Sequence, residues 1–449
     1  MPKITFIGAG SAVFTRNLLG DLLTYPELAG SRVCLMDIDA KRLGMVEALA
    51  KRMVEERKSN LSIQATTDRR EALRDADYVI ITIQVGGLEA YKQDIEIPQR
   101  YGVEQCVGDT MGPGGVFRGL RHLAVIEEIA RELEELSPDA LILQYTNPMA
   151  MIGWALSELS PLKTVGLCHS VQGTAEELAG YIGAPDEEIS YWVAGINHVA
   201  WFLKFEWKGE DAYPLLFEKM KDQRIYGQDP VRFDLLRHFQ YFVTESSGHA
   251  SEYYPYFRKN KASLEKLVSS FTDRKSAWFD FGRSGGYLRH CYHEAEHYET
   301  DITDMLSREE MIEIRRSREY GAQIIHGIET NQLKRINGNV RNTGLITNLP
   351  EGCCVEVPCL VDQSGVQPCH VGSLPPQLAA LIRTNVNMQE LAVWGHIHRD
   401  KDLIYQAIKM DPLTSAVCSL DEVDSLVGEM FAAQAEWLPQ FNKWLATSS

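Results

Sequence analysis

KITFIGAGSAVFTRNLLGDLL (residues 3–23) decides the fold. An apolar run of strand type over 3–8 breaks at Gly8, Gly10 and Ser11, and a helical pattern over 14–24 follows at once. Glycines at such a turn let the backbone approach a pyrophosphate and aim a helix N-terminus at it. The third glycine of G-x-G-x-x-G is missing, with Val13 in its place, so an ordinary strand-to-helix turn competes with the dinucleotide reading. Asp37, at the tip of the next strand, tips the balance. A carboxylate there can hold the adenosine ribose hydroxyls, and an acid in place of an arginine favours NAD over NADP.

Working outward, further apolar runs stand at 32–37, 78–84, 140–145 and 163–168, with helix-like stretches between them at 41–56, 122–136 and 149–159. Strands apolar on both faces that alternate with amphipathic helices predict an α/β fold, a doubly wound parallel sheet covered on both sides. The pattern changes near residue 190. YWVAGINHVAWFLKFEWKG (191–209) reads as a strand pair, turn-rich strands follow over 337–362, and helices are expected at 306–328, 375–392, 400–410 and 421–435. The expected organisation is a dinucleotide domain over 1–190 and a mixed α+β domain over 191–449.

Composition narrows the function. With 45% apolar and 24% charged residues the chain is globular in type, and 62 acidic against 45 basic side chains give a net charge of −17. That balance argues against nucleic acid or an acidic membrane surface as partner and leaves a neutral or cationic small molecule. No apolar run approaches the roughly 20 residues that span a bilayer, and MPKITFIGAG carries no secretory signal pattern. The 9 cysteines show no paired spacing, which predicts reduced thiols in a cytoplasm.

In an open parallel sheet, ligands bind at the carboxyl ends of the strands. Those ends carry Gln84 before VGG, Asn147 in QYTNPM, and Cys168 beside His169 in GLCHSVQGT. GINH (195–198) adds His198 just after a later strand. A thiolate and an imidazole make a metal site with open positions for substrate oxygens, although a buried inert thiol is the ordinary reading of Cys168 alone. HEAEH (293–297) satisfies H-E-x-x-H, but its polar surroundings read as a solvated helix face. GVEQCVGDTMGPGGVFRGLR (102–121) reads as a glycine-rich loop carrying Asp109 and Arg118, and VTESSGHASEYYPYF (243–257) gathers Glu245, His249, Glu252, Tyr253 and Tyr254.

GAGS, QVGG, DTMGPGG, YTNPMA, GLCHSVQGT, AGINHVAW, FVTESSGHASEYYP and NLPEGCCVEV, in that order along the chain, resemble glycoside hydrolase family 4, and within it the bacterial α-galactosidase branch. The resemblance implies an NAD- and Mn²⁺-dependent hydrolase on a fold similar to lactate and malate dehydrogenases. Its chemistry is oxidation of the sugar at C3, removal of the C2 hydrogen, elimination of the aglycone, addition of water and re-reduction, an exception to the usual carboxylate pair. Carried onto matching positions, it implies Cys168 and His198 as metal ligands, Asn147 on substrate hydroxyls and Asp109 near sugar or cofactor. Tyr253 becomes the C2 base, with Tyr254 the adjacent alternative. His169 stands where phospho-glucosidase branches carry Asp or Asn and is assigned the leaving-group acid. Gly8, Gly10, Ser11, Asp37 and Gln84 would hold NAD. Hard–soft reasoning alone would favour zinc at a thiolate; manganese follows from the resemblance.

The expected substrates are small α-galactosides such as melibiose, acted on by a cytoplasmic homo-oligomer, a dimer or tetramer. The competing readings are an α-glucuronidase or α-glucosidase of the same family, a 2-hydroxy-acid dehydrogenase with a His–Asp relay, and a non-catalytic NAD sensor.

Overall fold

The structure is a computed structural model that describes residues 1–271 and 282–442. Strand β1 (Lys3–Ile7) lies between β2 (Arg32–Met36) and β4 (Tyr78–Ile81), parallel to both. Outside them run β3 (Ser62–Thr66), β5 (Leu141–Gln144) and β6 (Lys163–Gly166), also parallel. The order β3-β2-β1-β4-β5-β6 is that of a doubly wound dinucleotide fold. Every residue of β1, β4 and β5 is buried, which is why these strands read as continuous apolar runs. SIQAT escapes that reading because β3 is the edge strand and partly exposed.

The second half of the chain extends this sheet. The strands β7 (Ile189–Ile196) and β8 (Val199–Trp207) form a hairpin, with the short β9 (Glu210–Asp211) beyond it. Two more, β10 (Lys334–Arg341) and β11 (Cys354–Asp362), run antiparallel to each other between β6 and β7, and β12 (Gly365–Pro368) pairs with β11. The result is one twelve-stranded sheet that passes residue 190 without a break. Its joints are narrow: Asn339 faces Gly166, and Glu356 faces Gly195. A side chain on Gly166 would bring its Cβ within 2.9 Å of Asn339 Cβ, so glycine is required for β10 to close on β6. Asn339 and Glu356 are themselves paired, so Gly166, Asn339, Glu356 and Gly195 form one row. From the two ends of that row the chain runs on to Cys168 and to His198.

Two expectations fail for identifiable reasons. The sequence predicts a helix over 306–328, but the chain is helical over Gly286–Ser307, irregular from 308 to 320, and helical again over Gly321–Thr330. Arg52 ends the first helix by donating to the carbonyls of Met305, Leu306, Arg308 and Glu310. The glycine-rich stretch 102–121 is a loop only up to Met111; a helix runs from Gly112 to Leu136. Its proline falls in the first turn, where the missing N–H costs nothing. All nine cysteines are free thiols. Among the described residues no helix is long and apolar enough to cross a membrane.

Candidate active site

The carboxyl edge of the sheet opens into one cleft of about 1600 Å³. Its wall takes in Gly8, Gly10, Ser11, Asp37 and Gln84, Asp109 from the loop before helix Gly112–Leu136, and Asn147, Cys168, His169 and His198 just after strands. At the first turn Gly8 and Ala9 donate to the Met36 carbonyl, and the helix Ala12–Leu23 starts directly after Ser11. The Gly10 N–H donates to Asp37 Oδ2 at 2.7 Å, while Asp37 Oδ1 accepts from Asp39 N–H at 2.9 Å. The carboxylate is thus fixed at the second strand tip, facing the cleft. Helix Gly286–Ser307 closes the far wall, with the Tyr298 hydroxyl donating to the Gly10 carbonyl at 2.7 Å. This turn, helix N-terminus and acidic strand tip fit a dinucleotide.

Cys168 and His198 meet, with Cys168 Sγ 3.4 Å from His198 Nε2. A third donor joins them: Glu245 Oε2 lies 3.3 Å from the same Nε2. Ligand atoms of these three residues all lie within 4.8 Å of one another, and no other group of three His, Cys, Asp or Glu side chains does so among the described residues. His198 and Glu245 hold φ of 64° and 76°, left-handed conformations that cost about 1–3 kcal/mol each in a non-glycine residue and collect at functional sites. Burial pushes the Cys168 thiol up to about 11, so a bound cation would have to displace its proton. Burial also opposes the charge on Glu245, but the imidazoles of His198 and His249 hold its carboxyl well below the usual range. One thiol, one imidazole and one carboxylate suit a divalent ion with positions left for oxygen ligands.

Around this cluster, Asn147 Nδ2 donates to Asp109 Oδ2 at 3.3 Å, and Arg118 Nε donates to the Asn147 carbonyl at 3.1 Å. Burial raises the Asp109 carboxyl, yet His249 and Arg118 leave it below its ordinary value. His169 is exposed to the cleft, with Nδ1 3.1 Å from Glu319 Oε1; that hydrogen bond raises its pKa to about 10 and keeps it an imidazolium at neutral pH. The two adjacent tyrosines part company. Tyr253 places its hydroxyl against His198 and His249, whereas Tyr254 packs on Trp201 and its hydroxyl has no partner. Tyr253 is 1% exposed and lies behind the cleft wall, to which His249 belongs.

Three carboxylates at or under this site carried no role in the sequence reading. Glu245 was visible only as one member of a polar segment. Glu319 sits in the stretch expected to be helical. Glu356 is fully buried in the row that joins β6 to β7, neither of its oxygens has a hydrogen-bond partner, and burial raises its pKa to about 8. HEAEH lies on helix Gly286–Ser307 with His293 and His297 stacked at 4.3 Å on the solvent side, and no third ligand joins them among the described residues. Glu294 of that motif reaches the cleft wall, so the helix is solvated on one face only.

A doubly wound sheet with a dinucleotide turn, and a thiol–imidazole–carboxylate cluster in the same cleft, defines an enzyme class that pairs a nucleotide fold with a cation centre. Comparison with known proteins makes this specific. Residues 3–184 match the family 4 glycosyl hydrolases, and residues 193–414 match the C-terminal domain of that family. The chain is 42% identical over 443 residues to an α-galactosidase of Bacillus subtilis (strain 168), covering 98% of this chain and 100% of that one. It is 40% identical over 447 residues to an α-galactosidase of Rhizobium meliloti (strain 1021), covering 98% and 89%. Relatives at 31% and 28% identity are an α-glucosidase and an α-galacturonidase. Among solved structures, the 6-phospho-β-glucosidase of Thermotoga maritima with manganese, NAD⁺ and glucose-6-phosphate superposes with a TM-score of 0.78 at 26% identity, covering 97% of this chain and 99% of that one. The chain belongs to family 4 of the glycosyl hydrolases and is a glycosidase.

Proposed function

We propose that the chain is an α-galactosidase that uses NAD⁺ and Mn²⁺ to hydrolyse small α-galactosides such as melibiose in the cytoplasm. The observation that carries this reading is that the dinucleotide turn and the Cys168–His198–Glu245 cluster open into one cleft. When bound, NAD⁺ would supply a hydride acceptor for C3 and the metal a Lewis acid for the C2 and C3 oxygens. The chain's own residues would do the rest. Gly10, Ser11 and Asp37 hold the dinucleotide, and Cys168, His198 and Glu245 hold the cation. Asn147, oriented by Asp109 and Arg118, binds sugar hydroxyls. Tyr253, whose hydroxyl is bonded to His198 and His249 of the cleft wall, would take the C2 hydrogen when that wall opens to the sugar. His169, kept protonated by Glu319, gives its proton to the departing aglycone oxygen. The halves 1–190 and 191–449 would contribute the dinucleotide end and most of the substrate end.

One observation favours a neutral galactoside. The relatives at 40% and 42% identity are α-galactosidases, while the uronic- and glucose-specific names belong to relatives near 30%. The test is a substrate panel. With NAD⁺, Mn²⁺ and reductant, 4-nitrophenyl α-galactoside and melibiose should be cleaved, and omission of either cofactor should stop the reaction. Faster cleavage of 6-phospho-glycosides, α-glucosides or α-uronides would overturn the substrate while leaving the family chemistry.

A further inference from the structure

Glu252 is buried beneath the cleft, and its carboxylate is filled by donors from one loop. Oε1 accepts from the N–H groups of Cys106 and Val107, each at 2.6 Å, and Oε2 accepts from the Gly108 N–H at 2.9 Å and from Gln105 Nε2 at 3.1 Å. Successive backbone N–H groups turned to one point make an anion-binding concavity. Here the anion is a side chain of the same molecule. Hydrogen bonds to a charged group are about twice as strong as neutral ones, so the carboxylate holds the loop firmly. The loop carbonyls are taken up on the opposite side. Gln105 O accepts from the Gly285 N–H at 2.8 Å, Cys106 O from the Tyr287 N–H at 3.0 Å, and Val107 O from the Tyr91 hydroxyl at 2.5 Å. The loop therefore also anchors the start of helix Gly286–Ser307, which forms the far wall of the cleft.

Asp109 follows this loop directly. Gly108 turns the chain into it with φ of 60°, and a Cβ there would lie 2.6 Å from Ile95 Cδ1. Asp109 Oδ2 accepts from Asn147 Nδ2 at 3.3 Å, so the place of the loop sets the place of both side chains. Glu252 itself belongs to the segment that carries Glu245, and one side chain thus ties the sugar-side loop to the cation-side segment. We propose, on the basis of the functional reading above, that Glu252 is a positioning residue for the substrate. By holding the N–H groups of 106–108 it keeps Asp109, and through it Asn147, in register with the Cys168–His198–Glu245 cluster. Sugar hydroxyls bound by Asn147 and ring oxygens facing the cation then belong to one pose. Misplacement by roughly 1 Å can cost about a hundredfold in rate, which is why a residue that touches neither sugar nor cofactor matters.

Glu252→Gln tests this, since it keeps the size but turns an NH₂ group toward N–H donors and leaves at least one of them without an acceptor. With NAD⁺ and Mn²⁺ present, kcat/KM for 4-nitrophenyl α-galactoside should fall about tenfold or more, most of it through a raised KM. Affinities for NAD⁺ and Mn²⁺, measured by titration calorimetry, should stay within a few-fold. Glu252→Asp keeps the charge with a shorter reach and should fall between the parent and Glu252→Gln. In an Asp109→Ala background, Glu252→Gln should cost less than about twofold more, because its effect runs through Asp109. Should Glu252→Gln yield no folded protein, Glu252→Asp carries the same cycle. A parental KM, full additivity with Asp109→Ala, or equal losses of NAD⁺ and Mn²⁺ affinity would overturn the proposal. Asn147→Ala, measured alongside, separates the two levels: an unchanged KM there would overturn the functional reading beneath, whereas a raised KM beside parental Glu252 variants would overturn the proposal alone.

Discussion

Replacing Cys168 by serine or His198 by alanine is expected to remove hydrolysis while NAD⁺ binding stays near the parental level. The two residues lie at the joint where the parallel and antiparallel parts of the sheet meet, 3.4 Å apart, and neither takes part in the Gly10–Asp37 contact that shapes the first turn. Losing a cation that stabilises charge on the reacting oxygens removes several kcal/mol from the transition state, or about a thousandfold in rate or more. Serine at 168 keeps the size but lacks a thiolate. Alanine at 198 removes the imidazole that links the cluster to Tyr253, so its loss should be the larger. Kinetics at saturating Mn²⁺ with parallel NAD⁺ titrations checks this. Equal losses of activity and NAD⁺ affinity would argue against a separate cation centre.

Gly10→Ala is expected to act at the other end of the cleft. A Cβ at this position would sit 2.6 Å from Asp37 Oδ2, closer than side-chain atoms approach, so Asp37 has to move and its bond to the Gly10 N–H is lost. The substitution therefore spoils both the turn facing the pyrophosphate and the carboxylate that grips the ribose. Losing roughly 3 kcal/mol of binding would weaken NAD⁺ about a hundredfold. Mn²⁺ affinity should not change, since Cys168, His198 and Glu245 lie away from the first turn and take no part in its contacts. Calorimetric titration of both ligands gives a pattern opposite to that of Cys168→Ser.

The parts of this site that sequence could reach are those fixed by periodicity and topology. Buried strands announce themselves as apolar runs, the carboxyl edge of a parallel sheet is a known place, and Cys168 and His198 both follow strands that end there. The two residues meet because β10 and β11 bridge β6 to β7, which local pattern alone could not reveal. Glu245 has a left-handed backbone in an irregular segment, where no periodicity marks it. Glu319 disappears inside a stretch whose spacing mimics a helix, and only Arg52, reaching in from a distant helix, explains why the helix stops. Glu356 sits in CCVEVPC, where alternation suggests a solvent-facing acid, yet it faces Gly195 at the centre of a continuous sheet. In each case long-range packing overrides local pattern.

The central claim is that the sugar is opened by removal of its C2 hydrogen from a C3-oxidised intermediate, with the dinucleotide end and the cation cluster of one cleft acting on the same ring. Hydrolysis of unlabelled 4-nitrophenyl α-galactoside in D₂O tests it most directly, with the released galactose analysed by NMR. Deuterium at C2 is the predicted result, because a hydrogen taken from C2 by a protein base exchanges with solvent before a proton is returned. Galactose that keeps its original hydrogen at C2 through complete turnover would contradict the account and point to direct displacement at C1.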